Sequence, residues 1–184
     1  MTTNAASTTV ASPLLEMRDA FAPPALHAAV WQACTEQRWY FGNQSDATQG
    51  GLPFWKMDLD GVPALDALWQ LAQPLCESAA GHPLRVVRQY ANGHTYGLGG
   101  QAHTDDSRPG CFTLLYYPMP EWHPQWEGET FFYAATGEVI SAIVPRPNRA
   151  VFFDSRIPHA GRAPARACPA LRVTVAYKLD PAAS

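Results

Sequence analysis

From Leu84 onward the chain is a series of short β-forming runs cut by glycine and proline, and this texture limits the possible folds more than any other feature. The runs are Leu84 to Tyr90, Cys111 to Tyr117, Thr130 to Tyr133, Val139 to Val144, Ala150 to Asp154 and Leu171 to Leu179. Several short strands separated by turn signals predict a sandwich or a small barrel. The first third reads as helical. Pro23-Pro24 precede Ala25 to Arg38, where Leu26, Ala29, Val30, Ala33 and Cys34 fall at helical spacing. Gly42 to Gly51 is a loop by composition. A second helix is expected from Pro63 towards Ala80, kinked or split at Pro74. The fold class is therefore α+β, helices first and a β-barrel after them. We expect a flexible tail over residues 1–12 and a single domain over 13–184, with helical support at about 13–83 and the barrel at about 84–180.

Composition narrows the function classes. Hydrophobic residues make up 47% and charged ones 16%, which is the balance of a globular chain. A net charge of -3 gives no electrostatic reason to expect nucleic acid. Arginines do gather at Arg146, Arg149, Arg156, Arg162, Arg166 and Arg172, where they could favour an anionic ligand. The four cysteines, Cys34, Cys76, Cys111 and Cys168, form no CxxC pair, so a reducing, cytoplasmic setting is expected. No apolar run approaches the roughly 20 residues that span a bilayer, and no signal peptide is legible at the start.

The chemistry gathers in His103-Thr-Asp105, with His159 and Arg172-Val-Thr174 far downstream. Two imidazoles and a carboxylate are the donor set that holds non-haem Fe(II) on one face and leaves other positions open. On a strand, residues two apart share a face, so His103 and Asp105 could grip one metal together. Ligand type alone leaves zinc open. Serine or cysteine nucleophile signatures are missing, and the glycines at 93, 97, 99 and 100 do not form a phosphate-binding loop.

Taken in order, these landmarks resemble the Fe(II)/2-oxoglutarate-dependent oxygenases, in their prolyl 4-hydroxylase-like branch. The resemblance runs from about Arg85 to Leu179. It is carried by Arg88-Gln-Tyr90-Ala-Asn-Gly93, His103-Thr-Asp105, Thr113-Leu-Leu-Tyr-Tyr117, Trp126-Glu-Gly128-Glu129-Thr-Phe, and Val144 to Asp154 leading to His159. Three departures stand out. Glu127 occupies a place where glycine is usual, Asn148 stands where glycine commonly precedes the strand, and the loop between Tyr90 and His103 is long.

The resemblance implies a double-stranded β-helix, a jelly-roll or cupin-like barrel. It implies Fe(II) on His103, Asp105 and His159, with 2-oxoglutarate and O2 as co-substrates and ascorbate as a reductant. Arg172 would pair with the distal carboxylate of 2-oxoglutarate, helped by Thr174, while Tyr90, Thr113 and Tyr117 touch the co-substrate. Asp105 fills a place that related halogenases leave small, so hydroxylation rather than chlorination is expected. The expected substrate is a small molecule, an amino acid or natural-product intermediate; a peptidyl or protein hydroxylase is the alternative, and a non-catalytic sensing barrel a third reading. The loops Phe41 to Met57, Asn92 to Gln101 and Pro118 to Glu129 carry Trp55, Tyr96, Trp122 and Trp126, which could pack on substrate. Asp106 and Arg108 are further candidates for substrate contact. His94 reads as a polar loop residue or substrate contact, and His123 as exposed.

Overall fold

The largely apolar β-forming runs from Leu84 onward need layers to cover both their faces, and the computed structural model supplies two antiparallel sheets with helices against the larger one. It describes residues 14–45 and 51–182; the N-terminal tail call lies outside the described residues. The larger sheet is built from β1 (Leu15–Arg18), β2 (Tyr40–Asn43), β3 (Phe54–Asp58), β4 (Leu84–His94), β5 (Phe112–Tyr117), β8 (Arg149–Asp154) and β10 (Arg172–Pro181), in the order β1-β8-β5-β10-β4-β3-β2. The smaller sheet is β7-β6-β9, from β6 (Thr130–Tyr133), β7 (Val139–Ile143) and β9 (His159–Gly161). This is the double-stranded β-helix arrangement, mostly β with two helices.

The period-2 geometry of the strands sorts their residues between the two faces of the larger sheet. Tyr177 and Gln89 point to the helical side, where Tyr177 donates to Leu65 O at 2.9 Å and Gln89 to Leu59 O at 3.0 Å. Thr113, Arg172 and Thr174 point the other way, towards the smaller sheet. Phe132 and Phe153 join the two sheets edge to face, with ring centroids 4.9 Å apart.

Both predicted helices form. α1 spans Pro24–Glu36 and buries Val30, Ala33 and Cys34. α2 spans Pro63–Ala80 and ends on Gly81 at φ 77°, whose N–H bonds Glu77 O. Pro74 does not split α2: Leu65, Leu68, Ala72 and Cys76 are buried on both sides of it. That burial outweighs a proline cost of about 3 kcal/mol.

The picture of an all-helical first third is corrected. β1 pairs with β8, with Leu15 opposite Phe153, and β3 pairs with β4, with Trp55 opposite Gly93. β2 and β3 overlap the two ends of Phe41 to Met57, expected as a loop over the substrate, and β2 also overlaps Gly42 to Gly51, which composition marks as loop. These segments carry four or five residues each and become strands because a neighbour supplies the ladder, a cause outside their own sequence. β4 likewise continues past Tyr90 to His94, which is a buried strand residue rather than a loop residue.

The two departures noted at Glu127 and Asn148 have a backbone meaning. Both lie at positive φ, +56° and +59°, where glycine is at no disadvantage. Asn tolerates this region and also works there: its side chain accepts from Ala22 N and donates to Ala22 O, both at 2.7 Å.

Candidate metal centre

The HxD segment is not a regular strand. His103 makes an isolated bridge to His159, through reciprocal backbone bonds of 3.0 and 2.9 Å, and Asp105 N then bonds Ser155 O at 2.9 Å. The result is the juxtaposition that strand geometry was expected to provide. One ligand atom from each of His103, Asp105 and His159 falls within 4.8 Å of the others.

The tautomers follow from the hydrogen bonds. His103 Nδ1 lies 2.9 Å from Gln101 O, and His159 Nδ1 lies 2.9 Å from Ile157 O. A carbonyl only accepts, so each Nδ1 carries the proton and each Nε2 presents a bare lone pair. Those two nitrogens stand 3.4 and 3.5 Å from Asp105 Oδ1 and Oδ2. Burial pulls the His159 pKa down to about 4, despite the Asp105 charge, so the ring stays neutral near pH 7. Burial alone would push the Asp105 carboxyl up, yet the Lys178 ammonium beside it holds it well below the usual range. Thr113 donates to Asp105 Oδ2 at 2.6 Å, and Lys178 pairs with the same oxygen. No hydrogen bond reaches Oδ1 among the described residues. Two imidazoles with Nε2 turned inward and a fixed, ionised carboxylate fit a divalent cation.

Arg172 opens β10 beside this cluster and is 1% exposed. Its Nε bonds Gly128 O, Nη1 lies 3.2 Å from His94 Nδ1, and Nη2 donates to Thr130 Oγ1 at 2.8 Å. Three of its five N–H groups are thereby engaged, leaving one on each terminal nitrogen. No carboxylate pairs with it among the described residues. A buried cation without a counter-ion is costly, and a ligand carboxylate received by the two free N–H groups removes the deficit. Gly128 permits this packing: a Cβ there would stand 3.0 Å from Arg172 Cδ.

His94 adds to the same cavity. Arg172 can only donate, so His94 Nδ1 accepts and Nε2 carries the proton. That Nε2 is buried with no partner among the described residues. Burial, and then the Arg172 charge, keeps His94 well below its ordinary pKa and therefore neutral.

The other expected residues divide. Tyr90 and Thr174 line the cavity that also holds Arg172 and His159. Tyr117 bonds Thr130 Oγ1 at 2.7 Å and so reaches Arg172 through it. Thr113 is turned onto Asp105, so its contact is with the carboxylate rather than the co-substrate space. Lys178 escaped the sequence reading, although counting in twos from Arg172 reaches it; His94, expected as a polar loop residue or substrate contact, lies on β4 against Arg172. Asp106 and Arg108 are committed to each other at 2.7 Å, and Arg108 also to Asp180 at 2.9 Å. Trp122 donates to Glu127 O at 3.0 Å and Trp126 packs on it edge to face, so these two staple their loop. Two arginines of the cluster are committed to structure: Arg149 grips Asp19 at 2.6 and 2.9 Å, and Arg156 pairs with Asp154. His123 is exposed, as expected.

Comparison with known proteins agrees with this geometry. The family model described as 2OG-Fe(II) oxygenase superfamily matches residues 87–177. Among solved structures, a Pseudomonas putida prolyl-4-hydroxylase superposes with TM-score 0.64 at 17% identity, covering 94% of this chain and 95% of that one. A 2OG-Fe(II) oxygenase family oxidoreductase from Burkholderia pseudomallei gives TM-score 0.72 at 12% identity, over 90% and 84% of the two chains. The non-heme alpha ketoglutarate dependent epimerase SnoN from nogalamycin biosynthesis gives 0.70 at 13%, over 92% and 79%. No curated protein sequence matches the chain. The chain belongs to the 2OG-Fe(II) oxygenase superfamily and is a 2-oxoglutarate-dependent dioxygenase, using Fe(II), 2-oxoglutarate and O2. No helix among the described residues is long and apolar enough to cross a membrane.

Proposed function

We propose that this dioxygenase hydroxylates an unactivated C–H bond of a small molecule, an amino acid or natural-product intermediate, releasing succinate and CO2. The atoms balance as R–H, O2 and 2-oxoglutarate giving R–OH, succinate and CO2. His103, Asp105 and His159 are the ligands of Fe(II), and Arg172 seats the distal carboxylate of 2-oxoglutarate. The observation carrying this reading is one cavity that joins a His/Asp/His cluster within 4.8 Å to a buried arginine with no carboxylate partner among the described residues.

The iron, when bound, supplies activation of O2 coupled to oxidative decarboxylation of the keto acid. The chain's own residues supply position. Gln101 O and Ile157 O lock the two imidazoles with Nε2 forward, and Thr113 and Lys178 hold the carboxylate through Oδ2. Gly128 O, Thr130 and His94 fix the guanidinium plane, so the co-substrate meets a preset fork. Tyr90 and Thr174 border the space between.

A peptidyl prolyl-type hydroxylase is the second reading, favoured by the end-to-end fold likeness to the Pseudomonas putida prolyl-4-hydroxylase. Both are tested by succinate release from the chain with Fe(II), ascorbate and 2-oxoglutarate, across amino acids, small acids and proline-containing peptides. Asp105→Ala and Arg172→Ala are expected to abolish turnover with the circular dichroism spectrum retained. Full activity in either variant overturns the site assignment, and stimulation by peptides alone selects the second reading.

A further inference from the structure

Three cations surround the ring of Tyr90, and neither the metal ligands nor the co-substrate pocket accounts for them all. Lys56 Nζ lies 5.3 Å from the ring centroid, Arg88 Cζ 4.8 Å and Lys178 Nζ 5.8 Å. They come from three neighbouring strands, β3, β4 and β10, and the ladder brings them together: Lys56 is opposite Asn92, and Lys178 is opposite Arg88. Two carboxylates answer them. Asp58 pairs with Lys56 at 2.7 Å, and Asp105 holds Lys178. Arg88 has no carboxylate partner among the described residues.

Like charges gathered on one small surface repel, and a bound anion relieves that repulsion. The surface opens on a polar cleft of about 190 Å³ whose wall includes Lys56, Arg88, Tyr90, Asn92, His103 and Asp105. Asn92 Oδ1 is buried there with no donor among the described residues. The cleft thus offers an open guanidinium, an ammonium and an unused acceptor beside the proposed metal ligands.

We propose that this cleft is the substrate site and that it takes a small molecule bearing a carboxylate, seated on Arg88 and Lys56 over Tyr90, with an N–H or O–H for Asn92. The proposal rests on the dioxygenase reading of the His/Asp/His site and specifies its substrate class. An amino acid or hydroxy acid carries both groups. Arg88 supplies the planar fork that matches a carboxylate, and Lys56 adds a point charge. The aromatic cover expected from Trp55, Trp122 and Trp126 does not line this cleft, which is charged and polar instead.

The test uses the whole chain with Fe(II), ascorbate and 2-oxoglutarate. Amino acids and small monocarboxylic acids are each paired with their primary amide, and short acidic peptides complete the panel. Succinate release is measured, together with calorimetric binding of each acid to the Mn(II) and 2-oxoglutarate-loaded protein. An acid is expected to stimulate, with its amide at least tenfold weaker. Arg88→Gln and Lys56→Gln are each expected to raise that acid's KM and Kd about tenfold. The Kd for 2-oxoglutarate, measured without substrate, reports that each variant is folded. The proposal is overturned by an amide equal to its acid, by an acid indifferent to both substitutions, or by stimulation from peptides alone. It is also overturned if no acid stimulates or binds while 2-oxoglutarate is still consumed. If 2-oxoglutarate is not consumed at all, the underlying dioxygenase reading fails, and calorimetric binding of the acids still decides the cleft.

Discussion

Replacing Thr113 with Val separates two roles that one hydroxyl could play. The resemblance gave Thr113 to the co-substrate, whereas its Oγ1 lies 2.6 Å from Asp105 Oδ2. Both residues are largely buried, with Thr113 at 0% exposure. A hydrogen bond to a charged group contributes about 1.5–3 kcal/mol. Loss of a group that orients a metal ligand weakens metal binding by roughly 10–100-fold, equivalent to about 1.4–2.7 kcal/mol. Lys178 still holds the same oxygen in the variant, which places the effect near the lower end, about tenfold. Ser155 Oγ, 3.1 Å from Thr113 Oγ1, also loses a partner, so a modest drop in stability accompanies it. The assay is anaerobic titration of Fe(II), or Mn(II) by calorimetry, followed by the KM for 2-oxoglutarate at saturating metal. The expected result is weaker metal binding with little change in that KM, restored by Thr113→Ser. A raised KM with unaltered metal affinity refutes the reasoning and returns Thr113 to the co-substrate.

Other perturbations report on neighbouring parts of the site. Arg172→Lys keeps a charge but loses the fork, so 2-oxoglutarate affinity should fall about 10–100-fold at constant metal affinity; a change under twofold contradicts the pairing. His94→Leu removes the unpartnered buried Nε2–H and the acceptor for Arg172, and should weaken 2-oxoglutarate about tenfold; unchanged calorimetric binding places His94 outside the pocket. Glu127→Gly relieves a backbone at φ 56°, ψ -139°, where a side chain costs about 1–3 kcal/mol; net of the freer unfolded chain, a gain of about 1 kcal/mol is expected from urea unfolding, and a loss refutes the strain. His159, at about 4, and His94 both lie below the unfolded histidine value of about 6.5, so the unfolded state binds more protons between these limits. Stability of the metal-free protein should therefore be full above about pH 6.5 and fall as pH drops towards 4; a midpoint that rises on acidification contradicts it.

Much of the site was legible because its donors are of rare types at diagnostic spacing. His103, Asp105 and His159 stand together as the residue chemistry required, and Arg172 lies beside them. The strands β4 to β8 and β10 carry their own signal as β-rich runs between glycine and proline, and both helices carry helical spacing; β9, three residues long, does not. β1, β2 and β3 were invisible as strands, since four or five residues form a strand only where a partner offers hydrogen bonds. Thr113 was found for its position, but a sequence motif names a strand face and not the atom a hydroxyl will meet, here Asp105 Oδ2. Lys178 was missed because, although it lies in phase with Arg172, a single lysine carries no motif; His94 was noted, but its place against Arg172 is decided by the fold.

The amino-acid order by itself determined the element types after Leu84, the metal donor set and the presence of an arginine suited to a carboxylate, since periodicity and ligand chemistry are local properties. Only the tertiary structure decided which oxygen of Asp105 is held, that Arg172 has no carboxylate partner among the described residues, and that Lys56, Arg88 and Lys178 meet around Tyr90. Those are consequences of strand order and register, which bring residues more than a hundred positions apart within hydrogen-bonding reach, and no short stretch of sequence encodes them.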